Sequence, residues 1–388
     1  MNTGRTVFSQ VLDYLSLSLF RECVARYKGN HNVRAFSCMD QFICMAFAQL
    51  SFRESLRDIE ATLRALQLKL YHMGIRGKVS RSTLADANEK RNWRIYSDRA
   101  QPLMKQARAL YANESLSVDL DATAYALDTT AISLSLSMFP WAHYTRYAGS
   151  VRMHTQMDLR GRIPTFISIT DGKSHDKRLL DILPLESGAF YLMDRGYQDY
   201  KRIYRINQAG AFFLLRASKD TSTHCIQSSP VNKSYGLLSD QTVSLVDYYS
   251  KKRYPDYLRR INYIDPETHT NFVWLLNNFD LPSEMIPDLY RLRWSIEVFF
   301  KWIKQNLRIK AFFGRSKNAV KTQIWISITV YLLVAIVKKE LNLEHSLATI
   351  LQILSVTLFE KSPILQVLKA NEYASGLHCS DNQLELFR

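Results

Sequence analysis

Apolar residues in the first 111 positions recur at three- and four-residue steps, as in Phe42, Met45, Ala46 and Leu50, then Leu56, Ile59, Leu63 and Leu66. That is the period of an amphipathic helix. Ser80-Arg81-Ser82-Thr83 supplies hydroxyls suited to capping a helix start. Residues 1–111 therefore read as a helical domain. Near Ser115 the period changes: Leu116, Val118 and Leu120 alternate, and β-branched or aromatic residues gather in Val151–Leu159, Arg162–Thr170, Ala189–Met193 and Ala211–Leu215. These stretches predict strands. Tyr200–Gln208 has helical character between two of them, so residues 112–216 predict an α/β fold with a mixed sheet. Residues 217–285 turn to short segments rich in Ser, Thr, Asn and Tyr, with Asn277-Asn278 and proline turns, which suits a β-rich insertion. After Pro287 helical spacing returns, with 286–340 carrying a second part of the core and 341–388 a helical tail.

Placing Tyr290–Lys304 on a single helix, at about 100° per residue, separates two faces. Arg293, Glu297, Lys304 and Arg308 share a polar stripe, while Leu292, Ile296, Phe299, Phe300, Ile303 and Leu307 form an apolar one. A lone carboxylate among Arg293, Lys301, Lys304 and Arg308 has two readings. It makes local ion pairs, each worth about 0.2–0.5 kcal/mol, or it is a metal ligand whose basic neighbours neutralise phosphates. Tyr191-Leu192-Met193-Asp194 is an apolar strand ending in an acid, with Gly196 allowing a sharp exit. An acid there is either a ligand or a cap for the following helix. Three more acids, Asp119, Asp121 and Asp128, lie near the first strand; strand alternation puts Asp119 and Asp121 on one face and Asp128 on the other.

Composition narrows the partner. At 388 residues and 47% hydrophobic, the chain can bury the cores of two or three domains. Its 51 Lys plus Arg against 36 Asp plus Glu give a net charge of +15, favouring a polyanion. Residues 1–111 hold 18 basic and 9 acidic side chains, residues 286–340 hold 11 and 3, and residues 112–285 hold 19 of each. Two basic regions around a neutral middle suit a long polyanion gripped at more than one place. The five cysteines are odd in number and form no C-x-x-C pair, which argues against a zinc module or disulfide framework and for a reducing, cytoplasmic setting. No signal-peptide pattern opens the chain. The uncharged run Ile324–Val337 is 14 residues, short of the roughly 20 that span a bilayer, and reads as a buried helix with no membrane role.

Tyr290, Arg293, Glu297 and Lys304, separated by two, three and six residues, resemble the Tyr-Arg-Glu-Lys signature of the insertion sequence four family of DDE transposases. Asp194-Arg195-Gly196-Tyr197 resembles that family's Asp-Arg-Gly-Tyr motif, and Asp128-Thr129-Thr130 its first motif, with Thr129 where Ser is commoner. Phe36–Ile59 and Lys78–Trp93 are similar to the helical N-terminal domain of such enzymes, and Lys304–Lys310 with Lys321–Trp325 to their C-terminal part.

The resemblance implies an RNase H-like catalytic core with an inserted β domain. It implies Asp128, Asp194 and Glu297 as catalytic metal ligands, with Asp121 in reserve for the first, holding two Mg²⁺ ions for which Mn²⁺ can substitute. Two such ions activate an attacking oxygen and stabilise a leaving one. Water would free a 3′-OH at the element's end, and that hydroxyl would attack target DNA; some members pass through a DNA hairpin. Tyr290, Arg293 and Lys304 are then the phosphate contacts, with Arg195, Lys301 and Arg308 as further candidates. Trp294 and Trp302 are stacking residues or core, and His154 and His175 structural or DNA-facing. Arg76, Lys78 and Arg81 either read the terminal inverted repeats or serve dimerisation. The expected partners are double-stranded DNA, at the terminal repeats and the target, and a second copy across paired ends. A catalytically silent DNA-binding regulator descended from a transposase is the alternative, against which every motif position is filled.

Overall fold

The computed structural model describes residues 4–75, 77–145, 148–306 and 312–369, so Arg76, Leu307 and Arg308 lie outside the described residues. By contacts the chain forms two compact units, residues 1–110 with 302–388, and residues 111–301. The first begins with α1 (Val7–Leu12), α2 (Leu17–Arg26), α3 (Cys38–Leu50), α4 (Leu56–Ala65), α5 (Gln67–Met73), α6 (Arg81–Lys90) and α7 (Arg94–Tyr111). Side-chain oxygens satisfy the free amides at several helix starts, as helices require. Ser80 caps α6 by accepting from the Thr83 amide, and Ser37 with Asp40 forms a reciprocal capping box on α3.

The second unit is built on β1 (Ala124–Leu134), β2 (Gly149–Asp158), β3 (Ile163–Asp171), β4 (Phe190–Met193), β5 (Phe212–Arg216), β6 (Thr223–Ser229), β7 (Leu237–Leu245), β8 (Leu258–Ile264) and β9 (Asn271–Leu276). They form one mixed sheet ordered β3-β2-β1-β4-β5-β9-β8-β7-β6. β1, β4 and β5 run parallel, and every other neighbouring pair is antiparallel. Helices α8 (Leu179–Ile182), α9 (Tyr200–Gln208), α10 (Tyr248–Arg253), α11 (Met285–Arg291) and α12 (Trp294–Asn306) complete the unit, α12 running on past its end. Alternate residues Tyr125 and Leu127, Tyr191 and Met193, Phe213 and Leu215 bury one sheet face, against Ile203 and Ile206 of α9. The side chains one step along each strand point to the opposite face.

The structure corrects two expectations and places a third element. Leu116–Leu120 is not a strand; the first strand starts at Ala124. The Leu120 amide closes a turn onto the Val118 carbonyl, and the Leu120 and Asp121 carbonyls accept from Arg160 at 2.9 and 2.8 Å, so these backbone groups are spent outside the ladder. The stretch 217–285, expected as a β-rich insertion, holds β6 to β9 and extends the same sheet: β9 pairs with β5 through Leu214 opposite Leu276 and Arg216 opposite Trp274. Finally, the helix through Tyr290 is broken. Arg293 and Ser295 donate to carbonyls three residues back, a tightened turn that separates α11 from α12. The cause is packing, because Tyr290 is held in an aromatic cluster at 5.4 Å from Trp274 and 6.4 Å from Phe272.

The rest of the first unit is α13 (Lys317–Glu340), α14 (Leu347–Thr357) and α15 (Ile364–Lys369). α13 is long and apolar enough to cross a membrane, but 94% of its most apolar window is buried inside the protein. It packs on α3, α6, α1 and α14.

Within the extended sheet, Arg259 on β8 grips Asp240 on β7 with two parallel bonds of 2.9 and 2.6 Å, and both side chains are buried. Removing one partner of such a pair strands a buried charge, at about 3–5 kcal/mol. Asp240→Ala is expected to lower the urea midpoint accordingly, whereas Asp240→Leu combined with Arg259→Met should recover most of the loss. An unchanged midpoint in Asp240→Ala would contradict the buried pairing.

Candidate active site

Parallel pairing of β1 with β4 sets Ala124 beside Phe190 and Leu127 beside Met193. One step further along both chains come Asp128, within β1, and Asp194, immediately past the end of β4, where the pairing of the two strands stops. Because Leu127 and Met193 point into the core, the two acids emerge on the opposite face. Asp194 ends β4 and opens the short turn Arg195–Tyr197, to which its side chain gives no capping bond; the cap of α9 is Asp199. The capping reading of Asp194 therefore fails. Asp121 lies exposed ahead of β1.

Glu297 comes from α12. Its carboxylate accepts from Arg293 at 2.6 Å, and the same guanidinium reaches Asp128 at 3.3 Å. Arg293 is only 12% exposed. Five influences act on Asp128 in two directions. Burial pushes its carboxyl up to about 6, the Thr129 amide (2.7 Å) and Arg293 oppose that, and the charges of Glu297 and Asp194 add to the rise. Asp194 is thus close enough to be felt by Asp128, and likewise by Tyr290, which burial raises to about 12. The guanidinium sits as a cation between two carboxylates, and a divalent ion satisfies the same charges through oxygen donors. All three side chains are hard oxygen ligands, so their chemistry fits such an ion. Among the described residues no group of three His, Cys, Asp or Glu side chains lies together as a metal cluster, and Arg293 engages both Asp128 and Glu297.

The cations expected at phosphates take different places. Arg293 is engaged by the two acids, and the buried Tyr290 ring lies 5.8 Å from its guanidinium. Tyr290, expected as a phosphate contact, is 9% exposed and packs against Trp274 and Phe272. Arg195 and Lys301 are exposed, and Lys304 lies further along α12. Arg308 is outside the described residues. Trp294 is 61% exposed, while Trp302 packs edge-on against Tyr331 at 4.8 Å. Ile296, Phe299, Phe300 and Ile303 are buried as their stripe predicts.

A polar chain anchored on the buried Tyr197 and His154 lies beside the acids. Tyr197 and Thr129 share a bond of 3.0 Å, Thr129 meets His154 Nδ1 at 2.8 Å, and His154 Nε2 meets Thr170 at 2.8 Å. It crosses β1, β2 and β3 and returns to the turn after Asp194. His154 is 2% exposed, and burial pushes its imidazole down to about 4, so it is neutral and structural. His175 is exposed. The only sequence sign of this chain was a set of polar side chains inside otherwise apolar strands.

The folded chain holds the proton on Asp128 up to about pH 6, whereas an unfolded Asp releases it near 3.9. The folded state binds more protons in that window, so stability falls as pH rises from about 4 to about 6, by up to about 3 kcal/mol. In chelator, Asp128→Asn is expected to melt above wild type at pH 8 and close to it at pH 4.5. Calorimetry giving equal melting temperatures at pH 8 would show that Asp128 carries no burial penalty.

The family profile described as a transposase DDE domain matches residues 118–333, and one described as a domain of unknown function (DUF4372) matches residues 3–76. A putative transposase of Sinorhizobium fredii is 28% identical over 308 residues, 78% of this chain and 84% of that protein. A putative transposase for an insertion sequence element of Synechocystis is 22% identical over 330 residues, 82% and 88% of the two chains. A probable insertion-sequence transposase of Geobacillus stearothermophilus is 25% identical over 208 residues, 53% and 54% of the two chains. Among solved structures, the piggyBac transposase synaptic complex with hairpin DNA matches at a TM-score of 0.48 and 9% identity, covering 98% of this chain and 86% of that one, too slight a likeness to argue from. With the first profile spanning more than half of its length, the chain belongs to the DDE-domain transposases.

Proposed function

We propose that this transposase cuts DNA at the ends of its insertion sequence and joins them to target DNA, using Asp128, Asp194 and Glu297 on an RNase H-like core. The observation that carries the reading is the register of β1 and β4, which supports the two aspartates as neighbours, with Glu297 tied to Asp128 through Arg293. The order β3-β2-β1-β4-β5, antiparallel then parallel, is consistent with an RNase H-like core extended by β9 to β6.

DDE transposases generally use divalent metals; here the three acids would hold two ions, Mg²⁺ or Mn²⁺, which supply Lewis acidity at the attacking and leaving oxygens. The chain's own residues do the rest. Asp128, half-titrated near pH 6, is mostly ionised at neutral pH. The Thr129 amide fixes one of its oxygens, and the Tyr197–Thr129–His154–Thr170 chain holds the strands beneath it. Arg293, once freed from the carboxylates, is placed to meet phosphate oxygens, and Arg195 stands exposed beside Asp194 to do the same. Water attacks the phosphodiester at the element's end and releases a 3′-OH. That hydroxyl then displaces a target 3′-oxygen from its phosphorus, so one phosphodiester is exchanged for another without a net hydrolytic step. Two copies, one for each end, would bring the ends together.

Asp194→Ala and Glu297→Ala are each expected to abolish Mg²⁺-dependent strand cleavage while binding to element ends stays within about threefold. Cleavage surviving in either variant would remove that acid from the site. Lys304→Ala is expected to weaken binding and flatten the salt dependence by about one unit of log–log slope, since one phosphate contact releases close to one counterion. A slope equal to wild type would rule out the contact.

A further inference from the structure

Between α2 and α3 the chain presents Lys28, Asn30, His31, Asn32 and Arg34, all exposed, on a loop fixed more firmly than a linker needs. A Cβ on Gly29 would lie 2.5 Å from Ile95 Cδ1 and 2.7 Å from Cys38 Sγ, so a larger residue there would require those side chains to move. The Asn30 side chain accepts from the Cys38 amide at 2.8 Å, and Arg91 donates to the carbonyls of Phe36 and Ser37 while lying over the Phe36 ring. Lys28 and Asn32 both take left-handed backbone, φ +50° and +59°. Such strain persists where surrounding structure over-determines a conformation, and it concentrates at binding sites.

The loop forms one wall of a cavity of about 820 Å³ whose other wall is α6, through Ser82, Thr83, Asp86 and Lys90. Asp86 is neutralised by Lys90. Lys28, Arg34 and Arg81 have no acidic partner among the described residues. Most of the residues that line it are charged or hydrogen-bonding, with no continuous apolar floor of the kind an amphipathic protein helix needs. Unpaired cations beside fixed amide, imidazole and hydroxyl groups match duplex DNA, with its phosphates outside and its donor and acceptor pattern in the groove.

We propose that loop 28–35 and the start of α6 grip the duplex at the element's end, with Lys28 and Arg34 on phosphates and His31 and Asn32 reading base edges. This rests on the transposase reading and assigns a surface formed by loop 28–35, inside the domain of unknown function, and by α6, just beyond it.

The test is fluorescence anisotropy with the full chain in chelator, on a duplex of the terminal inverted repeat and on a scrambled duplex. Lys28→Gln with Arg34→Gln is expected to weaken both duplexes about 10- to 100-fold at 0.15 M salt and to flatten the log–log salt slope by about 2. Asn32→Gly keeps the left-handed backbone; it is expected to leave the slope alone and cut the preference for the repeat at least fivefold. Wild-type affinity, slope and preference in both variants, with wild type itself preferring the repeat, would overturn the groove and leave the transposase reading standing. A wild-type chain with no preference for the repeat would instead overturn the reading beneath. Hydrogen exchange on the wild-type complex tests the groove without a variant: residues 28–35 should be protected by the repeat duplex, and protection found only elsewhere would overturn it.

Discussion

The in-register parallel pairing of β1 and β4 is the constraint from which the rest of the site follows. Four paired positions, Ala124 to Leu127 against Phe190 to Met193, bring side by side two acids from distant parts of the chain. A slip of one residue would turn Asp128 into the core and Leu127 out of it, so burial of Tyr125, Leu127, Tyr191 and Met193 enforces the alignment of the acids as well as the fold. The acids are carried by the least adjustable part of the molecule.

Gathering carboxylates there is unfavourable, and the surroundings show how it is tolerated. Arg293 offsets the repulsion between Asp128 and Glu297, and the Tyr290 ring, packed against Trp274 and Phe272, lies 5.8 Å from that guanidinium. Beneath, the Tyr197–Thr129–His154–Thr170 chain gives its buried polar groups partners, which a half-satisfied network would not. One element therefore serves two ends: the aromatic cluster of the extended sheet breaks the helix at Arg293, and that break aims the guanidinium.

Local pattern made much of this legible. The strands at Val151–Leu159, Arg162–Thr170, Ala189–Met193 and Ala211–Leu215 fall within a residue or two of β2 to β5, and Tyr200–Gln208 is α9, because period and β-branching report a strand or helix directly. The buried stripe of α12 was legible for the same reason. What escaped depends on distant partners. Nothing in Leu116–Leu120 says that its carbonyls are taken by Arg160, and no local period predicts that Trp274 will break the helix after Tyr290. Joining β9 to β5 closes a long loop that contains three other strands, so the β-rich stretch could be seen but not its place in the sheet. The arginine at the acids was visible only as a cation, with its partners supplied by folding.

The sheet order also has a consequence in time. β5 waits for β9 to be made before its free edge is covered, and the helix bearing Glu297 follows β9 in the chain. A nascent chain emerges from its N-terminus, so the helices before β1 are complete long before the third acid exists. A growing polypeptide, even one already able to hold a polyanion through those helices, cannot bring the three proposed acids together until about three-quarters of it has been synthesised. Any product of translation interrupted before residue 297 would lack one of the three proposed acids.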